Sequence, residues 1–132
     1  MCDASEKPRV KIGDLGLAAY IEPGAVYIKR AGTTAFMAPE VMMDEPTCAK
    51  SDVWSLGIIL YTLLASHLPF ASKFYSKADK ALAERSIPYT DDVFHSLDPE
   101  CVKLLKGMLR KDKTTRYSIN EVMASPWVLD QE

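Results

Sequence analysis

The sequence predicts a mainly α-helical domain carrying at most a short strand pair near its N-terminus. Three features point there. From Ser51 to Ser66 apolar residues occupy almost every position, which suits a helix buried on all sides, the central pillar of the fold. After Asp98 and Pro99, a stripe of Cys101, Leu104, Leu105, Met108 and Leu109 follows the helical repeat. Ser118 and Glu121 stand at the spacing of a capping box, in which hydroxyl and carboxylate each satisfy a backbone N–H where a helix begins.

In chain order, Val10, Lys11 and Ile12 alternate apolar and polar before Gly13, the pattern of a short strand ending in a turn. Asp14 to Pro39 is rich in Gly, Pro, Ala and Thr and has no sustained period, so it reads as a long loop of the kind that carries function. Leu68, Pro69 and Phe70 interrupt the central helix, and Phe74 to Arg85 resume as a weaker one. Asp98 suits a helix start because its carboxylate can accept free N–H groups, while Pro99 in the first turn has none to lose. The last helix is expected to stop near Ser125, since Pro126 disfavours helical backbone at the residue before it.

At 132 residues the chain can form one compact domain, burying about two-thirds of the surface it would expose unfolded. With 48% hydrophobic and 26% charged residues it falls in the ordinary globular range. The net charge of -2, with both signs interspersed, gives no electrostatic reason for a nucleic-acid or membrane partner. Cys2, Cys48 and Cys101 lie far apart and outside any CxxC spacing, which argues against a disulfide framework or zinc site and for a reducing, intracellular and cytoplasmic setting. Met1 to Val10 lacks the apolar run of a secretory signal. Val53 to Ala65, the longest apolar stretch, falls short of the roughly 20 residues that span a bilayer. His67 and His95 have no partner at metal-ligand spacing and read as structural or surface residues, and the dispersed methionines read as core fillers.

The motifs say more. Asp14-Leu15-Gly16 is followed by Gly32-Thr33-Thr34-Ala35-Phe36-Met37, then Ala38-Pro39-Glu40, then Ser51-Asp52-Val53-Trp54-Ser55-Leu56-Gly57. In this order the segments resemble the second half of the protein kinase family: a DFG triplet with Leu15 for Phe, a GTxxYMAPE stretch with Phe36 for Tyr, and the DVWSxG entry of the family's central helix. The GTxx form is that of serine/threonine kinases. Leu68-Pro69-Phe70, the Gly57 to Leu64 run and a Ser125-Pro126-Trp127 ending similar to HPW lean towards the calcium/calmodulin-dependent and calcium-dependent group, although Trp127 equally suits a plain hydrophobic anchor.

The resemblance implies the C-terminal lobe of the α+β protein kinase fold, with residues 1–132 as a partial kinase domain, and ATP with Mg²⁺ as the cofactors of the complete domain. Magnesium is a hard cation that prefers oxygen ligands, and on this reading Asp14 is the carboxylate that holds it against the nucleotide phosphates. Gly13 and Gly16 would flank the nucleotide. Thr33 would touch the catalytic machinery, while Gly32, Phe36 and Met37 shape the pocket for the substrate protein. Asp52 would be a buried carboxylate compensated by backbone amides of the catalytic loop, a role compatible with that of a first-turn carboxylate stabilised by the helix dipole. Glu40 and Arg116 would form a buried ion pair tying the loop to the lower helices.

The resemblance also shows what this sequence does not contain: a glycine-rich loop, the strand Lys with its Glu partner, and the HRD loop. The expectation is therefore a fragment of an ATP-dependent serine/threonine kinase that is inactive by itself, its partners being ATP and a protein substrate in the complete domain. The alternative is a non-catalytic, kinase-like interaction module or pseudokinase fragment. Without the upper lobe, apolar surface should be exposed. Because no Ser or Thr lies between Tyr20 and Gly32, activation is expected without the usual loop phosphothreonine.

Overall fold

A computed structural model describes residues 10–22, 27, 31–70 and 84–130. Helices dominate, and the chain's central element is α2, Ala49–Ala65. Short α1, Pro39–Met42, precedes it; α3, Asp92–Ser96, α4, Pro99–Met108, α5, Ile119–Met123, and α6, Pro126–Leu129, follow. Two single 3₁₀ turns, Leu15–Leu17 and Thr34–Phe36, interrupt the expected long loop. The weaker helix expected over Phe74 to Arg85 lies outside the described residues except at its last two positions, as do Cys2 and residues 28–30.

The core forms where α2 crosses α4. Trp54, Ile58 and Tyr61 of α2 pack against Leu105 and Leu109, with Phe94 of α3 completing the cluster. Tyr61 is fully buried, donates its hydroxyl to the Pro88 carbonyl at 2.9 Å and meets the Phe94 ring at 5.0 Å between centroids. A second cluster joins Val53 of α2, Leu104 and Met108 of α4 and Val122 of α5, with Trp127 and Val128 of α6 against it. The stripe from Cys101 to Leu109 is buried throughout, as its helical spacing requires.

Helix starts follow local chemistry. The Asp98 carboxylate accepts the Glu100 N–H at 2.8 Å, and Pro99 opens α4. The Ser118 hydroxyl accepts the Glu121 N–H while the Glu121 carboxylate accepts the Ser118 N–H, which completes the capping box. The helix expected to stop near Ser125 ends at Met123, and Ser125 caps a further helix, α6, by accepting the Val128 N–H. Pro126 forbids helix before itself but is well suited to a first turn, so one residue both closes α5 and opens α6.

Two expectations are corrected. The strand at Val10 to Ile12 does not form: these residues are irregular, with Val10 and Ile12 almost fully exposed. A strand needs a hydrogen-bonded neighbour, and the pairing found among the described residues is one antiparallel bridge, Tyr27 with Thr47. Nor is α2 buried on all sides, because Leu56, Ile59 and Leu63 are exposed along one face. Composition sets how apolar a helix is, but only neighbouring elements can cover each face.

Candidate functional site

The loop before α1 and the N-terminal half of α2 enclose a cavity of about 250 Å³. Gly32, Thr33, Phe36 and Met37 line one side, Asp52 and Ser55 the other, and Leu17 and Ala18 close it from the N-terminal segment. Gly32 has φ 107°, a left-handed backbone that an L side chain would strain, and this turns the chain into the cavity wall. Thr33 is exposed and precedes the 3₁₀ turn Thr34–Phe36, with the Phe36 N–H donating to the Thr33 carbonyl at 3.0 Å. The Ser55 hydroxyl then donates to the Phe36 carbonyl at 2.8 Å, so α2 holds the loop by its backbone.

Behind that wall lies a buried ionic cluster. Arg116 is 0% exposed and spends all five of its N–H groups: Nη1 and Nη2 donate to Glu40 Oε1 and Oε2 at 2.7 and 2.8 Å, and the rest reach three carbonyls. Nε donates to the Arg110 carbonyl at 2.8 Å, Nη1 to that of Lys50 and Nη2 to that of Lys111, both at 3.0 Å. The Ser51 hydroxyl adds a bond to Glu40 Oε1 at 2.7 Å, while its oxygen accepts the Cys48 N–H. Burial by itself would push the Glu40 carboxyl up, but the Arg116 and Ser51 hydrogen bonds, its own backbone N–H and the Arg116 charge outweigh it and hold it below its ordinary value. The Trp54 ring lies 5.2 Å from the guanidinium, and its Nε1 has no hydrogen-bond partner among the described residues.

The cluster is the mechanical base of the cavity. Glu40 belongs to α1, Ser51 to α2 and Arg116 to the turn between α4 and α5, so one bidentate pair pins the loop to both ends of the helical core. Lys50 and Lys113 reinforce the same seam through the Thr114 and Pro46 carbonyls at 3.1 and 2.6 Å.

Asp14, Gly13 and Gly16 stand apart from the cavity lining. Asp14 is exposed, has left-handed backbone at φ 56°, ψ 63°, and leads directly into the turn Leu15–Leu17. Leu15 is 69% exposed. Among the described residues no group of three or more His, Cys, Asp or Glu side chains could hold a metal ion. One carboxylate suits Mg²⁺ only if other oxygens, such as nucleotide phosphates, complete the shell. Asp52, expected to be a buried carboxylate under catalytic-loop amides, is exposed in the first turn of α2. The HRD loop whose amides would cover it is not in this sequence, and the carboxylate remains favourably placed at the positive end of the helix dipole.

Comparison with known proteins decides the lineage. The family model for the protein kinase domain matches residues 1–128. This chain belongs to the protein kinase family. It is 33% identical over 121 residues to the serine/threonine-protein kinase PEPKR2 of Arabidopsis thaliana, covering 92% of this chain and 26% of that protein. Calcium-dependent protein kinase 27 of the same plant is 33% identical over 93% of the chain and 25% of its own length. Human serine/threonine-protein kinase ULK3 is 32% identical over 93% of the chain and 26% of its length. The chain thus spans about a quarter of the curated relatives it matches. The helical architecture is that of a kinase C-terminal lobe, with no sheet among the described residues. No described helix is long and apolar enough to cross a membrane.

Sequence reasoning passed over Ser51 and Ser55, whose hydroxyls join α2 to the loop. Their i, i+4 spacing around Trp54 was the available signal, because it places both on one face of the helix.

Proposed function

We propose that the chain forms the substrate-facing helical lobe of a serine/threonine protein kinase, which in the complete domain transfers the ATP γ-phosphoryl group to protein Ser or Thr hydroxyls. The observation that carries this is the fully satisfied Glu40–Arg116 pair, which fixes the Thr33 loop against the end of α2 that bears Asp52. Phosphoryl transfer depends on positioning and charge stabilisation, and a rigidly anchored loop contributes the positioning.

In this reading Asp14 would offer its carboxylate to Mg²⁺, whose charge would offset that of the nucleotide phosphates. Gly13 and Gly16 leave room beside the nucleotide. The Thr33 hydroxyl, exposed at the cavity, orients the reacting groups, and Gly32, Phe36 and Met37 receive the residue that follows the substrate hydroxyl. The exposed stripe of Leu56, Ile59 and Leu63 is the surface that the rest of the kinase domain covers. By itself the 132-residue chain transfers no phosphate, since its sequence supplies neither the base nor the ATP clamp.

A chimera tests both parts. The first half of a calcium-dependent relative's kinase domain, through its HRD loop, is joined upstream of Val10, and transfer of radiolabelled phosphate from ATP to a generic Ser/Thr substrate is measured. The chimera is expected to be active, the 132-residue chain inactive, and Asp14→Asn in the chimera inactive. A folded chimera without activity, or one indifferent to Asp14→Asn, refutes the proposal. In that event the non-catalytic interaction module becomes the better reading.

A further inference from the structure

A second concavity, of about 560 Å³, lies on the outer face of α4 and shares no lining residue with the cavity of the Thr33 loop. Its floor is apolar: the Phe94 ring, Leu97, Val102, the bare backbone of Gly107 and the Tyr117 ring. The Tyr117 ring packs directly on Gly107, where a Cβ would meet it at 2.2 Å, so the absence of a side chain at 107 lets the ring lie along the groove. The rim is cationic, with Lys103, Lys106 and Arg110 arranged along one side of α4 and just beyond its end, and the lining holds no Asp or Glu.

An outer helix face with lysines is ordinarily just solvated, but here two of the cations are held in place. Lys106 Nζ sits 5.3 Å from the centre of the Tyr89 ring, and the Arg110 guanidinium 5.4 Å from that of Tyr117. Arg110 also donates from Nη1 to the Thr115 carbonyl at 2.8 Å. Lys103 is paired with Glu100 at 3.1 Å, at the edge of the groove. Cations held against aromatic rings lose less side-chain freedom when an anion arrives. The result is a local concentration of positive charge around an apolar hollow on a protein whose net charge is -2.

We propose that this groove docks an acidic segment of a partner protein, one that places an apolar side chain against Phe94, Val102 and Tyr117 and carboxylates against Lys106 and Arg110. The charge pattern selects an anionic partner, and the apolar floor selects a peptide over a simple polyanion. This docking is separate from the catalytic reading and does not require phosphoryl transfer.

The test uses the whole chain and a labelled ten-residue peptide in which a Leu-Phe pair sits between two runs of Asp and Glu, followed by fluorescence anisotropy. Binding is expected to saturate and to weaken as salt rises. The doubly substituted Lys106→Glu, Arg110→Glu protein should bind at least about tenfold more weakly, as expected when two charge contacts become repulsive. Lys11→Glu, in the N-terminal segment, should bind as the unaltered chain does, and both proteins should keep the parent far-UV circular dichroism. A peptide with Gly-Gly for Leu-Phe should also lose affinity. The proposal is overturned if saturable binding is absent, if Lys106→Glu, Arg110→Glu leaves affinity unchanged, or if the Gly-Gly peptide or a single-stranded oligonucleotide of equal charge competes as well as the parent peptide.

Discussion

Arg116→Met removes five hydrogen bonds at once and leaves the Glu40 carboxylate, 4% exposed, with the Ser51 hydroxyl as its nearest compensation. Breaking one side of a buried pair strands the other charge and costs about 3 to 5 kcal/mol. Set against the roughly 5 to 15 kcal/mol by which ordinary domains are stable, this variant should lose a large share of its stability and approach half unfolded only if the parent lies at the low end of that range. Glu40→Gln keeps an oxygen for Ser51 and Arg116 but strands the guanidinium charge among three carbonyls, so its cost should approach the lower end of that range, about 3 kcal/mol. The two changes together should cost less than their sum by about 1 to 3 kcal/mol, because the second removes a charge that the first left uncompensated. Urea unfolding followed by circular dichroism measures all three, and Arg116→Lys serves where Arg116→Met fails to fold. The pH dependence supplies an independent reading. The folded Glu40 carboxyl lies below its ordinary value of 4.5, so its stabilisation is fully present above that value and is lost as pH falls through the depressed folded one. Glu40→Gln should therefore be least different from the parent at low pH. Single-variant costs below about 1 kcal/mol, the range of exposed pairs, or strictly additive costs, would refute the picture of a desolvated, coupled anchor.

Other outcomes follow from the geometry. Gly107→Ala drives a Cβ into the Tyr117 ring and should cost about 1 to 3 kcal/mol; Gly57→Ala meets Leu109 Cδ2 and Cγ at 2.8 and 3.0 Å and Met108 Cβ at 3.1 Å, a crowding of about 1 to 3 kcal/mol that the helix preference for Ala offsets by up to about 1 kcal/mol. Both are read from urea midpoints. The His67 ring bonds to the Leu68 carbonyl and to the Asp91 carboxylate at 2.8 and 2.7 Å, contacts that raise its pKa above the ordinary 6.5. A ring titration by NMR should find it above that value and shifted down in Asp91→Asn. Its stabilising contribution is complete below 6.5 and is lost as pH rises through the raised value. Ser118→Ala removes the hydroxyl that accepts the Glu121 N–H, leaving the backbone half of the capping box at α5, and should lower stability by about 1 kcal/mol in the same unfolding assay.

Much of the molecule was legible because its determinants are short-range. A carboxylate two residues before an N–H, or a hydroxyl three before another, fixes where α4 and α5 begin whatever surrounds them. The buried stripe of α4 follows from the helical repeat, since one face of an amphipathic helix has to leave water. The motifs went further, because Glu40 and Arg116 resemble surface charges to any local criterion and only the family pattern marked them as partners. Of the two placements offered for Asp52, the structure has the first-turn carboxylate; the catalytic-loop amides that would bury it belong to elements this sequence does not supply.

What the sequence alone determined is thus the helical class, the helix starts at Ser118 and Asp98, the lineage, and the residue types a kinase cleft would use. Tertiary structure alone decided which face of α2 stays exposed, that Ser51 and Ser55 join helix to loop, that the distant Lys50 carbonyl joins the nearby Arg110 and Lys111 carbonyls around Arg116, and that the Tyr117 ring packs directly on Gly107. The division has a physical basis. Caps and stripes depend on atoms a few residues apart, whereas burial and the satisfaction of a buried charge depend on groups more than sixty residues away in the chain, such as the Lys50 and Glu40 oxygens around Arg116.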